Sequence, residues 1–152
     1  RFQAGEAYNI IPDQVSLGGT VRAFKAEVED LLEAAMERTC AGIGAAHGVQ
    51  ATLDYRRGYP PTVNSAAEAA ICRDVLNDLV GTERVRGDLP PSMGAEDFAY
   101  FLRERPGCYV WIGNGERQGG CMLHNPHYDF NDDILTLGAS YWVRLVERLL
   151  PR

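Results

Sequence analysis

Two histidines and three aspartates lie within residues 122–133, directly before an amphipathic segment. Imidazole and carboxylate groups are the side chains that most often bind metal ions or transfer protons in proteins. A second polar cluster, residues 94–98, contains Glu96 and Asp97 and lies shortly upstream. The two clusters predict a metal site or an acid–base site, although their ligands are too few to complete a metal centre.

His124 has two interpretations. A neutral imidazole in a loop beside buried strands is a common zinc ligand, whereas a loop histidine can also form only local hydrogen bonds. His127, two residues from Asn125, is expected to be exposed. Glu96 and Asp97 could act in catalysis, or they could be acidic residues that favour the first turn of a helix because of its dipole. Composition leaves both alternatives open.

Three residues outside the histidine cluster could bind a substrate. Arg22 projects from a predicted strand and could hold a carboxylate through two parallel hydrogen bonds, or it could be a solvated strand arginine. Asn9 lies in a predicted strand, where asparagine is disfavoured, so it is expected to have a specific hydrogen-bonding role. Gly94 would let the backbone approach a ligand closely.

Composition restricts the function. The chain has 152 residues and a formal net charge of −6, which argues against nucleic-acid binding. No stretch approaches the roughly 20 apolar residues of a membrane span. The four cysteines form no C-x-x-C pair, so we expect reduced thiols in a cytoplasmic protein. The chain begins at Arg1 without a methionine, and we expect a fragment of a longer protein.

Hydrophobic periodicity predicts an α/β protein in two parts. The first part has the predicted order β-β-α-β, with strands at 6–11, 14–24 and 49–55, a helix at 25–46 ended by Gly48, and a hairpin turn at 12–13. Residues 57–64 are rich in glycine and proline and form the candidate boundary. The second part has predicted helices at 66–79, 95–103 and 134–150, strands at 83–86 and 108–112, and a loop at 113–131.

Five segments follow one another along the chain: AYNIIPDQVSLGGTVRAF, YRRGYPPTVN, PPSMGAEDFAYFL, PGCYVWIGNG and MLHNPHYDFNDDILTLGASYWVRLVE. In this order they resemble the C-terminal part of the M20 metallopeptidase clan. The resemblance covers essentially the whole chain and is strongest to the amidohydrolase branch. That branch contains hippurate hydrolases, N-acyl-amino-acid amidohydrolases and auxin-conjugate hydrolases.

The resemblance implies an α/β fold with two domains. Residues 1–58 would be the C-terminal half of a small α/β sandwich lid domain, which mediates dimerisation in this family. Residues 59–152 would be the C-terminal part of a zinc-peptidase-like α/β catalytic domain. The implied parent protein is a homodimeric enzyme with two divalent metal ions, zinc or manganese. Its implied reaction is hydrolysis of the amide bond of N-acyl amino acids such as hippurate.

The resemblance also assigns roles to single residues. His124 in LHNP matches the family's final metal-ligand histidine. Asn9 in YNIIPD and Arg22 in GTVR match lid residues that bind the substrate's carboxylate, in some members across the dimer. Gly94 and Glu96 match the GGEDF element that lines the active site and binds substrate.

The GGEDF element also includes Asp97, and in this chain Ala95 replaces its second glycine. Three family elements are absent from the chain: the Cys-Gly-His-Asp metal motif, the Glu-Glu pair and the lid histidine. The general base therefore lies outside this chain, and one histidine gives at most a partial metal site. We expect the chain alone to be inactive.

Two other functions stay open beside the amidohydrolase. One is a dipeptidase or carboxypeptidase of the same clan, because the pocket residues that select the acyl group are expected to lie mostly outside this chain. The other is a truncated, non-catalytic module that dimerises or binds through the lid. Neither has nucleic acid or a membrane as its partner.

Overall fold

The computed structural model describes residues 1–116 and 121–151. It contains two compact units, Arg1–Pro61 and Thr62–Arg152. Helices and one small sheet make up the described residues, which agrees with the α/β class. The assignment of the two parts to a lid domain and a catalytic domain stays a prediction.

The sheet of the first unit has two antiparallel strands, β1 (Phe2–Ala4) and β2 (Val15–Leu17). The predicted strand at 6–11 is wrong, because this stretch is part of the connection between them. Gly5, at φ +59°, begins the connection. The predicted strand at 14–24 is wrong in its length. The paired strand on β2 ends at Leu17, opposite Phe2, and beyond it the Gly18 backbone is held by two hydrogen bonds with Arg1.

Helix α1 (Ala26–His47) confirms the helix predicted at 25–46. Two glutamates in its first turn favour the positive end of the helix dipole. At its C-terminus Gly48 adopts φ +66°, and its N–H donates to the carbonyl of Gly44. This left-handed residue is the usual end of a helix and needs glycine. The apolar stripe of α1 is largely exposed, and Leu31 keeps 63% of its surface.

The strand predicted at 49–55 is wrong, because this segment is extended but pairs with no strand in the part of the chain that the structure describes. It returns along α1, where Gly44 leaves room for the carbonyl of Val49. At its end the Arg57 guanidinium forms ion pairs with Asp30, at 2.6 Å, and with Glu33 of α1. These two carboxylates raise the pKa of Arg57.

The second unit is built on two helices, α2 (Ala66–Val80) and α4 (Leu135–Leu149), which confirm the helices predicted at 66–79 and 134–150. Cys72, Val75 and Tyr141 form the buried centre of their contact. Partly buried side chains pack around it: Leu76, Leu79, Cys108, Val110 and Leu145. Desolvation and the neighbouring Cys72 raise the pKa of the Cys108 thiol to about 11.

A third helix, α3 (Phe98–Glu104), confirms the helix predicted at 95–103, with a later start. The strand predicted at 83–86 is wrong, because residues Thr82–Arg84 form a 3-10 turn. The central strand predicted at 108–112 is also wrong: residues 108–110 are half-buried and extended, and no described strand lies beside them. Of the predicted loop 113–131, residues 117–120 lie outside the described residues. Within the described ranges, no helix is long and apolar enough to cross a membrane.

Candidate functional site

The segment before α3 holds Glu96 in one orientation. Its backbone turns into the helix, with Ala99 N–H donating to the Glu96 carbonyl at 3.3 Å. The Tyr109 hydroxyl donates to Glu96 Oε2 at 2.9 Å, and the Phe98 backbone N–H lies 3.4 Å from Oε1. The rings of Phe98 and Tyr109 pack with centroids 5.8 Å apart. Glu96 is therefore a half-buried carboxylate with both oxygens facing a donor.

Tyr109 is in turn held by the segment before α2. Asn64 Oδ1 accepts from the Tyr109 backbone N–H at 2.8 Å, and Asn64 Nδ2 donates to the Tyr109 carbonyl at 2.9 Å. Next to this pair, Ser65 N–H donates to the Gly107 carbonyl at 2.9 Å, and Ser65 Oγ accepts from Gly107 N–H at 3.1 Å. Four hydrogen bonds thus fix residues 107–109 against the start of α2.

The charges of this network follow from the hydrogen bonds. The Tyr109 hydroxyl, followed by the Phe98 N–H, lowers the pKa of Glu96 below 4.5. The same bond raises the pKa of Tyr109 above 10. At neutral pH Glu96 is consequently a carboxylate and Tyr109 a neutral phenol. The Glu96 carboxylate can therefore accept hydrogen bonds, but it has no proton to donate.

Gly94 lies on the exposed approach to Glu96. Its backbone N–H donates to Ser92 Oγ at 3.2 Å. A β-carbon at Gly94 would meet Ser92 Oγ at 3.4 Å, which is ordinary van der Waals contact. Gly94 and Glu96 therefore lie in the same segment of the second unit, as the sequence predicts, while their role in substrate binding stays a prediction.

His124 is exposed and lies in a turn with a left-handed backbone. Its φ of +67° is the one positive value among the described residues other than glycine. Asn125 holds the turn: its N–H donates to the Met122 carbonyl, its carbonyl accepts from Tyr128, and its side chain accepts from His127 N–H at 2.9 Å. A non-glycine residue in this conformation stores strain and is often functional.

Asn114 and Asn131 join the two ends of the loop that contains His124. Asn114 Oδ1 accepts from the Asn131 backbone N–H at 2.7 Å, and Asn114 Nδ2 donates to the Asp129 carbonyl at 2.8 Å. Asn131 Oδ1 then accepts from Asp133 N–H, which caps the 3-10 turn leading into α4. These bonds place the polar loop at the start of α4.

The donor set of this chain does not fit a complete metal centre. Among the described residues, no group of three or more histidine, cysteine, aspartate or glutamate side chains is arranged to hold a metal ion. A catalytic zinc needs three protein ligands. His124 can supply one exposed imidazole, and the described residues assemble no further ligands around it.

The predicted carboxylate-binding residues lie in the first unit. Asn9 is exposed in a turn closed by Ile10 N–H donating to the Ala7 carbonyl, rather than in a strand. Arg22 lies beyond β2, also outside any strand, and its Nη1 donates to Thr20 Oγ1 at 3.3 Å. The predicted strand context of both residues is wrong, because Asn9 lies in the connection between β1 and β2 and Arg22 lies beyond the end of β2 at Leu17. Their proposed contact with substrate stays a prediction.

The family of the chain follows from comparison with known proteins. The sequence profile of peptidase family M20/M25/M40 matches residues 5–148. The chain belongs to this family. The resemblance found in the five motifs is therefore confirmed, and this M20 chain is a member of a family of hydrolases.

Several characterised relatives are similar to this M20 chain over nearly all of its length. The IAA-amino acid hydrolase ILR1-like 4 of Arabidopsis thaliana is 31% identical over 99% of the chain. The hippurate hydrolase of Campylobacter jejuni is 31% identical over 98%, and the N-acetylcysteine deacetylase of Bacillus subtilis is 34% identical over 95%. The chain spans 35%, 38% and 37% of the length of these relatives, respectively.

A solved structure has the same fold. The YXEP protein of Bacillus subtilis, a dinuclear metal binding peptidase from the M20 family, superposes with a TM-score of 0.77 at 31% identity. The superposition covers 99% of this M20 chain and 40% of the YXEP chain. The dinuclear metal binding is a property of the YXEP protein. The M20 chain shares the part of the YXEP fold onto which it superposes.

Sequence reasoning missed two residues of the site. Tyr109 lies in the strand predicted at 108–112 and no role is predicted for its side chain, yet its hydroxyl binds Glu96. Asn64 was part of a matched motif without a role, yet it binds the Tyr109 backbone at both its N–H and its carbonyl. Ser65, and not Asn64, is the N-cap residue of α2, so no capping pattern in the sequence marks Asn64 for its bonds to Tyr109.

Proposed function

We propose that this chain is part of a metal-dependent amidohydrolase that cleaves the amide bond of N-acyl amino acids. The observation that carries the proposal is the set of similar relatives. Their names specify hippurate, an IAA-amino acid and N-acetylcysteine as substrates. Each of these is an amino acid whose nitrogen carries an acyl group. The share of the relatives' length that the chain covers supports its being one part of a longer enzyme.

In this proposal the residues of the chain have separate tasks. Arg22 and Asn9 bind the free carboxylate of the substrate, because a guanidinium and an amide both donate hydrogen bonds to carboxylate oxygens. Glu96 and Gly94 line the substrate site. His124 is one ligand of a two-metal centre, zinc or manganese, whose remaining ligands and general base lie outside this chain. When bound, such metals polarise the amide carbonyl and acidify water.

The proposed parent protein is a homodimer through the domain that contains residues 1–58. The exposed apolar side chains of the first unit, among them Leu17 and Leu31, support an interface there. The cell compartment proposed is the cytoplasm, on the basis of cysteines that form no disulfide in the described residues.

The test is release of glycine from N-benzoylglycine by the full-length protein, with and without a chelator. We expect chelator-sensitive release that His124→Ala reduces by at least about a hundredfold, because a catalytic metal loses an essential ligand. His127→Ala is the matched control, since it removes an imidazole from the same loop and should leave the rate within about twofold. Release that survives both the chelator and His124→Ala would refute the proposal.

A further inference from the structure

We propose that Asn64 and Tyr109 are positioning residues that hold the Glu96 carboxylate as the acceptor for the N–H group of the substrate's scissile amide. The inference rests on the proposed function, because it takes an N-acyl amino acid as the substrate. It adds two residues to the substrate site and gives Glu96 a defined partner.

The geometry forms one continuous path. Asn64 binds both the N–H and the carbonyl of Tyr109, at 2.8 and 2.9 Å, and so fixes the backbone from which the phenol projects. The phenol hydroxyl then reaches Glu96 Oε2 at 2.9 Å. The Phe98 ring packs against the phenol ring at 5.8 Å and restricts its tilt. Three segments far apart in sequence therefore determine where one carboxylate points.

The chemistry of Glu96 selects its partner. An ionised carboxylate accepts hydrogen bonds at about four lone pairs and donates none. The Tyr109 hydroxyl and the Phe98 N–H bind one oxygen each, and the side chain and backbone N–H of Asp97 also hydrogen-bond to this carboxylate. Asp97 is the other ionisable group beside it and is exposed. Since Glu96 is only half-buried, a donor that arrives from solvent can reach its carboxylate.

An N-acyl amino acid offers few donors. Its carboxylate and its acyl carbonyl only accept hydrogen bonds. With a hydrocarbon acyl group, as in N-benzoylglycine, the amide N–H is the single conventional donor of the molecule. A side chain that only accepts hydrogen bonds can therefore form a conventional hydrogen bond with this substrate at one group only. That group is the N–H of the amide bond that is cleaved.

The alternative is a purely structural role, in which the Tyr109–Glu96 bond only ties residues 107–109 to the start of α3. A structural bond affects every substrate alike, whereas an acceptor for the amide N–H affects only substrates that have one. O-Benzoylglycolic acid provides the comparison, because an ester oxygen replaces the N–H while the rest of N-benzoylglycine is kept.

The experiment measures kcat/KM of the full-length enzyme for both compounds. Tyr109→Phe keeps the ring and its packing on Phe98 but removes the hydroxyl. We expect kcat/KM for N-benzoylglycine to fall by about tenfold or more, the effect of losing one well-placed hydrogen bond to a charged group. For the ester we expect a change within about twofold. Glu96→Gln, whose neutral oxygen is a weaker acceptor, should show the same selective loss.

Tyr55→Phe serves as the control, because it removes a phenol hydroxyl in the first unit and should change neither substrate. An equal loss on amide and ester in both Tyr109→Phe and Glu96→Gln would assign these residues a structural role and overturn the inference. Unchanged activity on the amide would overturn it as well. A wild-type enzyme that cleaves neither compound would refute the proposed function itself, which is a distinct result.

Discussion

The Tyr109 hydroxyl is the largest single cause of the lowered pKa of Glu96. Without Tyr109, this carboxylate would keep the weak Phe98 N–H and a contact with Asp97 as the groups that lower its pKa. Hydrogen bonds to the charged form of an acid favour ionisation. The same bond keeps the phenol protonated. Each partner therefore stabilises the protonation state that the other needs.

Tyr109→Phe should raise the pKa of Glu96 towards 4.5. Because the folded-state pKa is lowered, the bond stabilises the fold above the pKa of the unfolded chain, and this stabilisation is lost as the pH falls through the folded-state pKa. The difference in unfolding free energy between wild type and variant should therefore shrink in acid. An NMR titration of ¹³C-labelled glutamate side chains measures the midpoint. An identical midpoint in both proteins would contradict the assignment.

The residue-scale features of the site could be predicted only in part. Glu96, Gly94 and His124 are candidates because they lie inside short motifs, and their roles stay predictions. The Tyr109 hydroxyl lies 13 residues from its acceptor, and Asn64 lies 45 residues from its partner. A hydrogen bond between such distant positions depends on tertiary packing, and no local pattern in a single sequence encodes it.

At the scale of elements, two glycines have opposite effects on the stability of helix α1. Gly42 lies within the helix, where glycine costs conformational entropy relative to alanine. Gly48 ends the helix with φ +66°, a conformation that a β-carbon disfavours. A β-carbon at either position meets no atom within 4 Å, so steric contact does not decide the outcome.

Gly42→Ala and Gly48→Ala should therefore have effects of opposite sign. We expect Gly42→Ala to raise the unfolding free energy of the first unit by about 0.5–1 kcal/mol. Gly48→Ala should lower it by about 1 kcal/mol, because alanine must adopt the left-handed conformation. Urea denaturation followed by circular dichroism at 222 nm measures both. Effects of the same sign would show that α1 does not end at Gly48 in solution.

The helices were predictable from the sequence, whereas of the predicted strands only part of the one at 14–24 is present, as β2. Helix hydrogen bonds are formed within one segment, so the periodicity and the terminal glycine of α1 were sufficient to predict it. A strand is completed only by a neighbour. Residues 49–55 and 108–112 have the alternation or the apolar character of strands, yet within the described residues no partner lies beside them.

At the scale of the molecule, the chain holds substrate-binding candidates in both units and one candidate metal ligand. It spans between 35% and 40% of the relatives and of the solved structure with which it was compared here. Under the proposed function, most of the metal ligands and the general base come from outside this sequence.

The isolated chain should consequently bind zinc more weakly than about 1 μM, because tight zinc sites need a full set of ligands. Isothermal titration calorimetry measures the affinity. His124→Ala should change it little, since one exposed imidazole binds weakly in either case. Binding tighter than about 1 μM that disappears in His124→Ala would show that the chain forms a metal site beyond the described clusters.

The Asn64–Tyr109 contact also bears on the order in which the second unit folds. It closes a loop of 45 residues, and closing a flexible loop of that length costs about 3 kcal/mol of chain entropy. Helix α2 and the residues that lead to Glu96 must be ordered before two hydrogen bonds can offset this cost. We therefore expect the Glu96 carboxylate to gain its orientation late in folding and to lose it when the second unit opens.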